Sequence, residues 1–101
     1  MSITLDFSDE LTIRTIEGAY EKLSEAMKGD DGLLISVSED SATDLTFVQL
    51  IETGRRAAQQ AGRKFALAAP ATGPLRETLR RGGFLETPDR RAFWLLEAGD
   101  H

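Results

Sequence analysis

With 101 residues, 41% of them apolar and 29% charged, the chain has the composition of one small folded domain rather than a disordered segment. It has no cysteine and a single histidine, His101, at the last position, which excludes disulfide scaffolds, zinc fingers, thiol nucleophiles and histidine-based triads. The net charge of −5 speaks against general nucleic-acid binding, which needs a basic footprint.

Taken in chain order, Ile3–Phe7 alternates apolar and polar residues, the period of a strand. Ser8 or Asp9 then turns or caps. Ile13, Ile16, Tyr20, Leu23 and Met27 follow at spacings of three and four, one face of an amphipathic helix. Glu17, Glu21 and Glu25 lie on another face, and Gly29 stops the helix. Gly32–Val37 is short, apolar and bounded by turns, which predicts a central strand buried on both faces. After a polar loop from Ser38 to Thr43, Phe47, Leu50, Ile51, Gly54, Ala58 and Ala61 mark a second helical face. Thr46, Gln49, Thr53, Arg56 and Gln60 mark the opposite one.

Lys64–Ala68 reads as a third buried strand. Pro74 suits the first turn of a third helix, with Leu75 and Leu79 as its stripe and Gly82-Gly83 as its end. Phe84-Leu85 predicts a brief strand. Thr87-Pro88 opens a short last helix carrying Phe93, Trp94 and Leu96. The order strand, helix, strand, helix, strand, helix predicts a single α/β domain over residues 1–101. Its sheet is central and mostly parallel, with helices packed against it.

The N-terminus has no basic region and no long apolar run, and no stretch approaches the roughly 20 apolar residues of a membrane span. The expected address is the cytoplasm, without membrane insertion. Charge is split along the chain. Residues 1–53 carry twelve acids and three bases, a net −9, and residues 54–101 carry five acids and nine bases, a net +4.

Asp44-Leu45-Thr46 stands where the second strand passes through its loop into the second helix. In parallel sheets this edge is where ligands and partners meet the fold. Two readings stand. Thr43 or Asp44 is an N-cap and nothing more. Alternatively, Thr46 is a regulatory hydroxyl, since a phosphate there would meet the positive end of a helix and deepen an acidic surface. Asp30-Asp31 and Glu39-Asp40 read as solvated turn acids, without the further ligands a metal needs. The pairs Arg55-Arg56, Arg80-Arg81 and Arg90-Arg91 read as solvated faces or as a partner patch. Phe93-Trp94 reads as a core plug or as an exposed anchor. No phosphate loop, base or nucleophile constellation is present, so neither an enzyme nor a cofactor is expected.

The order of elements, the Leu33–Val37 strand, residues 42–51 and 54–62, the Lys64–Ala68 strand and the Gly-Gly-Phe ending at Phe84 together resemble a STAS domain, the fold of the bacterial anti-sigma factor antagonists. In that family an Asp-Ser-Ser-Gly type of motif opens the second helix, and a partner kinase phosphorylates its second hydroxyl. Matched by position, Asp44 takes the place of the Asp and Thr46 that of the phosphorylated residue, while Leu45 and Phe47 replace the first Ser and the Gly. The resemblance implies a STAS-like sheet with helices packed mainly on one face, and a non-enzymatic signalling module. The polar stripe beside the hydroxyl at the helix start makes Ser41, Thr43, Asp44, Gln49, Thr53 and Arg56 the expected docking residues for a partner. That partner would be a serine kinase or anti-sigma factor, a chemotaxis component or a transporter ATPase. The alternative is a structural subunit of a transporter ATPase complex with no phosphoswitch.

Overall fold

The alternation at Ile3–Phe7 and the apolar run at Gly32–Val37 both become strands in a computed structural model, which describes residues 2–8, 10–29 and 31–96. Strand β1 is Ser2–Phe7, helix α1 Ile16–Met27, β2 Gly32–Val37 and α2 Leu45–Gln60. Strand β3 is Phe65–Leu67, α3 Gly73–Arg81 and α4 Pro88–Leu95. The three strands form one parallel sheet in the order β1-β2-β3. Both crossovers lead in the same direction, so crossovers of one hand set α1 and α2 on one face of the sheet.

Burial follows that asymmetry. Leu5, Ile35 and Leu67 form one cross-strand row and are buried, as are Phe7 and Leu33 at the same parity. On the other parity Thr4 and Asp6 are exposed, and Leu34, Ser36 and Ala66 are half-buried. The central strand is therefore not buried on both faces, because all the packing comes from one side. Asp9, an expected cap, lies outside the described residues.

The periodic stripe of the first helix also divides. Residues 12–15 form a turn, tied by the Thr12 N–H donating to Thr15 Oγ1 at 3.2 Å, and the helix starts at Ile16. Ile13 is left 65% exposed. Within α1, Ala19 and Leu23 are buried, and Tyr20 stays 59% exposed. In α2, Phe47, Val48, Ile51, Gly54 and Ala58 are buried, and Phe47 meets Phe7 edge-on at 5.5 Å. A Cβ on Gly54 would come within 2.9 Å of the Leu23 side chain, so this glycine sets how closely α1 and α2 pack.

No basic residue of α1 serves its own C-terminal carbonyls. Arg63, in the turn before β3, reaches them instead. Its guanidinium donates to Met27 O at 2.9 Å, Ala26 O at 3.3 Å and Asp31 O at 2.9 Å. Arg63→Ala leaves these carbonyls to water and should lower the unfolding free energy by about 2 kcal/mol in urea titration.

Phe84-Leu85 is a turn, not a strand. Phe84 N–H returns to Leu79 O at 2.9 Å and Gly83 N–H to Arg80 O at 3.3 Å, with Gly83 at φ +78, a Schellman ending that uses up this segment. Hydrogen bonding from Arg80 holds the Glu77 carboxyl below its usual value, and Glu77 raises Arg80 in turn. The contribution of this surface pair is present at neutral pH and lost as pH falls through the lowered Glu77 value, and solvent keeps it small.

Helix α4 closes the open end of the core. Phe93, Trp94 and Leu95 are buried, and Leu96, expected within the helix, follows its end, 43% exposed at φ 53. Trp94 is fully buried and its indole N–H donates to Glu52 Oε2 at 2.7 Å. Glu52 pairs with Arg55 at 3.5 Å, and Arg55 reaches Asp89 at 2.7 Å and lies over the Phe93 ring at 4.7 Å. The Phe93-Trp94 pair is thus core and not an exposed anchor. Among the described residues no helix is long and apolar enough to cross a membrane.

Candidate functional site

Parallel strands send all three following loops to one edge, and here those loops are joined. Leu11 and Thr43 form an isolated parallel bridge, with Leu11 N–H donating to Ala42 O at 2.7 Å and Asp44 N–H to Leu11 O at 3.2 Å. The loop after β2 is pressed from the other side by the start of α3. Gly73 has φ +58, and a Cβ there would lie 2.6 Å from Glu39 O, so only glycine fits.

Asp44 is the joint of this edge. Its Oδ1 accepts from Thr46 N–H at 3.0 Å and Phe47 N–H at 3.4 Å, capping α2, and its Oδ2 accepts from Ile13 N–H at 3.0 Å. Both carboxylate oxygens are therefore engaged within the fold. Thr43 is also engaged, its hydroxyl 3.2 Å from that of Thr78, which also donates to Thr43 O at 3.1 Å. Thr46 follows at the second position of α2, half-buried, and its hydroxyl makes no hydrogen bond among the described residues. Phe47 points into the core and does not cover it.

Of the other docking candidates, Gln49, Thr53 and Arg56 lie exposed along α2. Thr53 bonds back to Gln49 O at 2.9 Å, and Arg56 has no ion-pair partner among the described residues. Ser41 stands apart. It is 5% exposed and its hydroxyl has no hydrogen-bond partner among the described residues, so it offers nothing to a partner at the surface. Polar residues of a short loop look alike in sequence, and nothing in the pattern distinguishes the one turned inward. Ser41→Ala removes an unsatisfied buried hydroxyl and should raise stability by about 1 kcal/mol in thermal or urea unfolding.

The edge holds two clefts of unequal size. One beneath Ser38 and Thr72 measures about 30 Å³, the space of one water, and one between the loop after β1 and the start of α1, lined by Phe7, Ser8, Leu11, Thr15 and Lys22, measures about 330 Å³. Glu39 and Asp40 are exposed, and no group of three or more metal-ligating side chains gathers among the described residues. Two basic pairs are partly consumed within the fold, Arg55 by Glu52 and Asp89, Arg80 and Arg81 by Glu77. Arg90 lies over the Phe84 ring at 4.9 Å.

What sequence reasoning missed is the set of long-range ties. Arg63, the Ile13–Asp44 bond and the Trp94–Glu52 bond link positions more than 30 residues apart. The fold is an α/β domain with a three-stranded parallel sheet and four helices. No family model, no curated protein and no solved structure matches the chain.

Proposed function

We propose that the chain is a STAS-like, non-enzymatic signalling module that binds a partner protein through the loop before α2 and the first turns of that helix, switched by phosphorylation of Thr46. The observation that carries this is the free Thr46 hydroxyl at the start of a helix whose neighbouring polar groups are engaged. A phosphate there would add about −1.5 to −2 charges beside Asp44, Asp40 and Glu39. The partner would lose its fit without the core being disturbed, since Thr46 lies outside it. The partner classes that fit are a serine kinase or anti-sigma factor, or a chemotaxis component. The uneven charge along the chain would orient its approach.

The second reading, a structural subunit of a transporter ATPase complex, has its own support. Asp44 already claims the Thr46 and Phe47 N–H groups, so a phosphate finds few free donors at this helix start. One experiment separates the two. The chain is incubated with serine kinases of its source and weighed intact, and partner binding is compared for Thr46→Glu and Thr46→Ala. The switch predicts added phosphate mass and a loss of affinity of about tenfold or more for Thr46→Glu alone. No phosphate and unchanged binding by Thr46→Glu would sink it. Binding that ignores both variants but is lost with Thr53→Lys favours the structural subunit.

A further inference from the structure

The second half of α2 borders two adjoining clefts that share Arg55 and Gln59. The first, of about 150 Å³, is also lined by Glu52, Arg56, Asp89 and Arg90. The second, of about 190 Å³, is also lined by Arg63 and Phe65. Their position has a cause in the sequence. Arg55 and Gln59 stand four residues apart and so share one face of α2. Burial of Phe93 and Trp94 seats α4 on the core, which carries Asp89 and Arg90 to that face.

Charge along these clefts does not balance. Over the two of them four guanidinium groups meet two carboxylates. Glu52 is turned inward and is taken up by the Trp94 indole and Arg55. Asp89 has a side chain 78% exposed and is held by Arg55 at 2.7 Å. Arg63 spends its donors on backbone carbonyls, but its charge remains. Arg56 and Arg90 have no ion-pair partner among the described residues, and Arg90 rests on the Phe84 ring. The surplus is two positive charges, which matches the roughly −1.5 to −2 of a phosphomonoester at neutral pH.

We propose that the paired clefts bind a phosphomonoester, its phosphate among Arg56, Gln59 and Arg90 and its organic body beside Phe65. Donors reach the first cleft from both α2 and α4. A tetrahedral phosphate takes donors from both sides at once, whereas a planar carboxylate is matched by a single guanidinium fork. The second cleft leaves room for the body of the ester next to an aromatic ring. Asp89 holds Arg55 in the free protein and competes with the ligand for it. Thr46 lies ten residues before Arg56, about 15 Å back along α2, so the site is distinct from the switch proposed above. Arg56 belongs to both surfaces, and the test therefore also rests on Arg90 and Asp89.

The test uses the whole chain, isotope-labelled for NMR, at low ionic strength and neutral pH. Phenyl phosphate, inorganic phosphate and benzoate are titrated separately at matched ionic strength. Phenyl phosphate is expected to shift the amides of Arg56, Gln59 and Arg90 and the ring signals of Phe65. It should bind at least about fivefold tighter than either of the others. Arg90→Gln and Arg56→Gln should each weaken it about fivefold, and Asp89→Asn should tighten it about threefold. Thr46→Glu should leave it unchanged, whatever that variant does to partner binding. Unaltered circular dichroism shows that the variants are folded. Equal binding of benzoate shows a general anion effect, and equal binding of inorganic phosphate shows a site for the free ion. Either overturns the proposal, as do shifts that never saturate or centre elsewhere, weaker binding by Asp89→Asn, or indifference to Arg90→Gln.

Discussion

Trp94→Ala is expected to lower the unfolding free energy by about 3–5 kcal/mol, a large share of what so small a domain holds. The side chain is fully buried, meets Phe93 edge-on at 4.9 Å and bonds Glu52 at 2.7 Å. Its loss leaves a cavity under α4 and removes the partner of a carboxylate on α2. The backbone bond from Ala71 N–H to Trp94 O at 2.8 Å ties the same residue to the loop after β3. The variant has no tryptophan, so unfolding is followed by far-ultraviolet circular dichroism in urea. Trp94→Phe keeps most of the volume and should cost less than half as much. A double-mutant cycle of Trp94→Phe with Glu52→Ala should return a coupling of about 1 kcal/mol.

Asp44→Ala is expected to cost about 2–3 kcal/mol, more than an ordinary cap. The reason is that one carboxylate serves three N–H groups, two at the start of α2 and one at Ile13. Asp44→Asn tests the division of labour. A single amide oxygen can still cap α2, but the NH₂ group cannot accept from Ile13, so about half of the loss should remain. The amide resonance of Ile13 should move in both variants, although it lies 31 residues away in sequence.

These two residues show where sequence reasoning reaches and where it stops. Asp44 is legible as a cap because capping is local: an acid before an apolar-periodic segment states its own geometry. Its second job at Ile13 is not, since no spacing rule links the two loops. The extent of β2 was legible from an apolar run between turn residues, but its exposure was not. An apolar run describes only the strand, and whether a second layer covers it depends on the crossovers. Tyr20 has the spacing of a buried residue, yet a helical stripe wider than the sheet contact spills onto the neighbouring helix. Phe84-Leu85 has strand composition, and the two glycines before it instead fold it back as the end of α3. The candidate site follows the same division. The cap at Asp44 is legible from the helix start, while the inward turn of Ser41 has no signal.

The bridge between Leu11 and Thr43 bears on how the sheet opens. Strand β1 has one neighbour, and an edge strand of six residues is ordinarily the first to fray. Its pairing with β2 keeps a constant offset from Ser2↔Gly32 to Phe7↔Val37, and beyond the strand end the bridge adds one more parallel pairing, shifted by two residues. Closing a loop of about 31 residues costs on the order of 3 kcal/mol of chain entropy, which the strand pairs have already met when Asp44 takes Ile13. Peeling of β1 past Phe7 therefore pulls on the Leu11 bridge and on the bond from Ile13 to Asp44 Oδ2, while the Oδ1 cap of α2 can stay in place. The amides of Leu11 and Ile13 should exchange with solvent along with those of β1, and those of Thr46 and Phe47 more slowly.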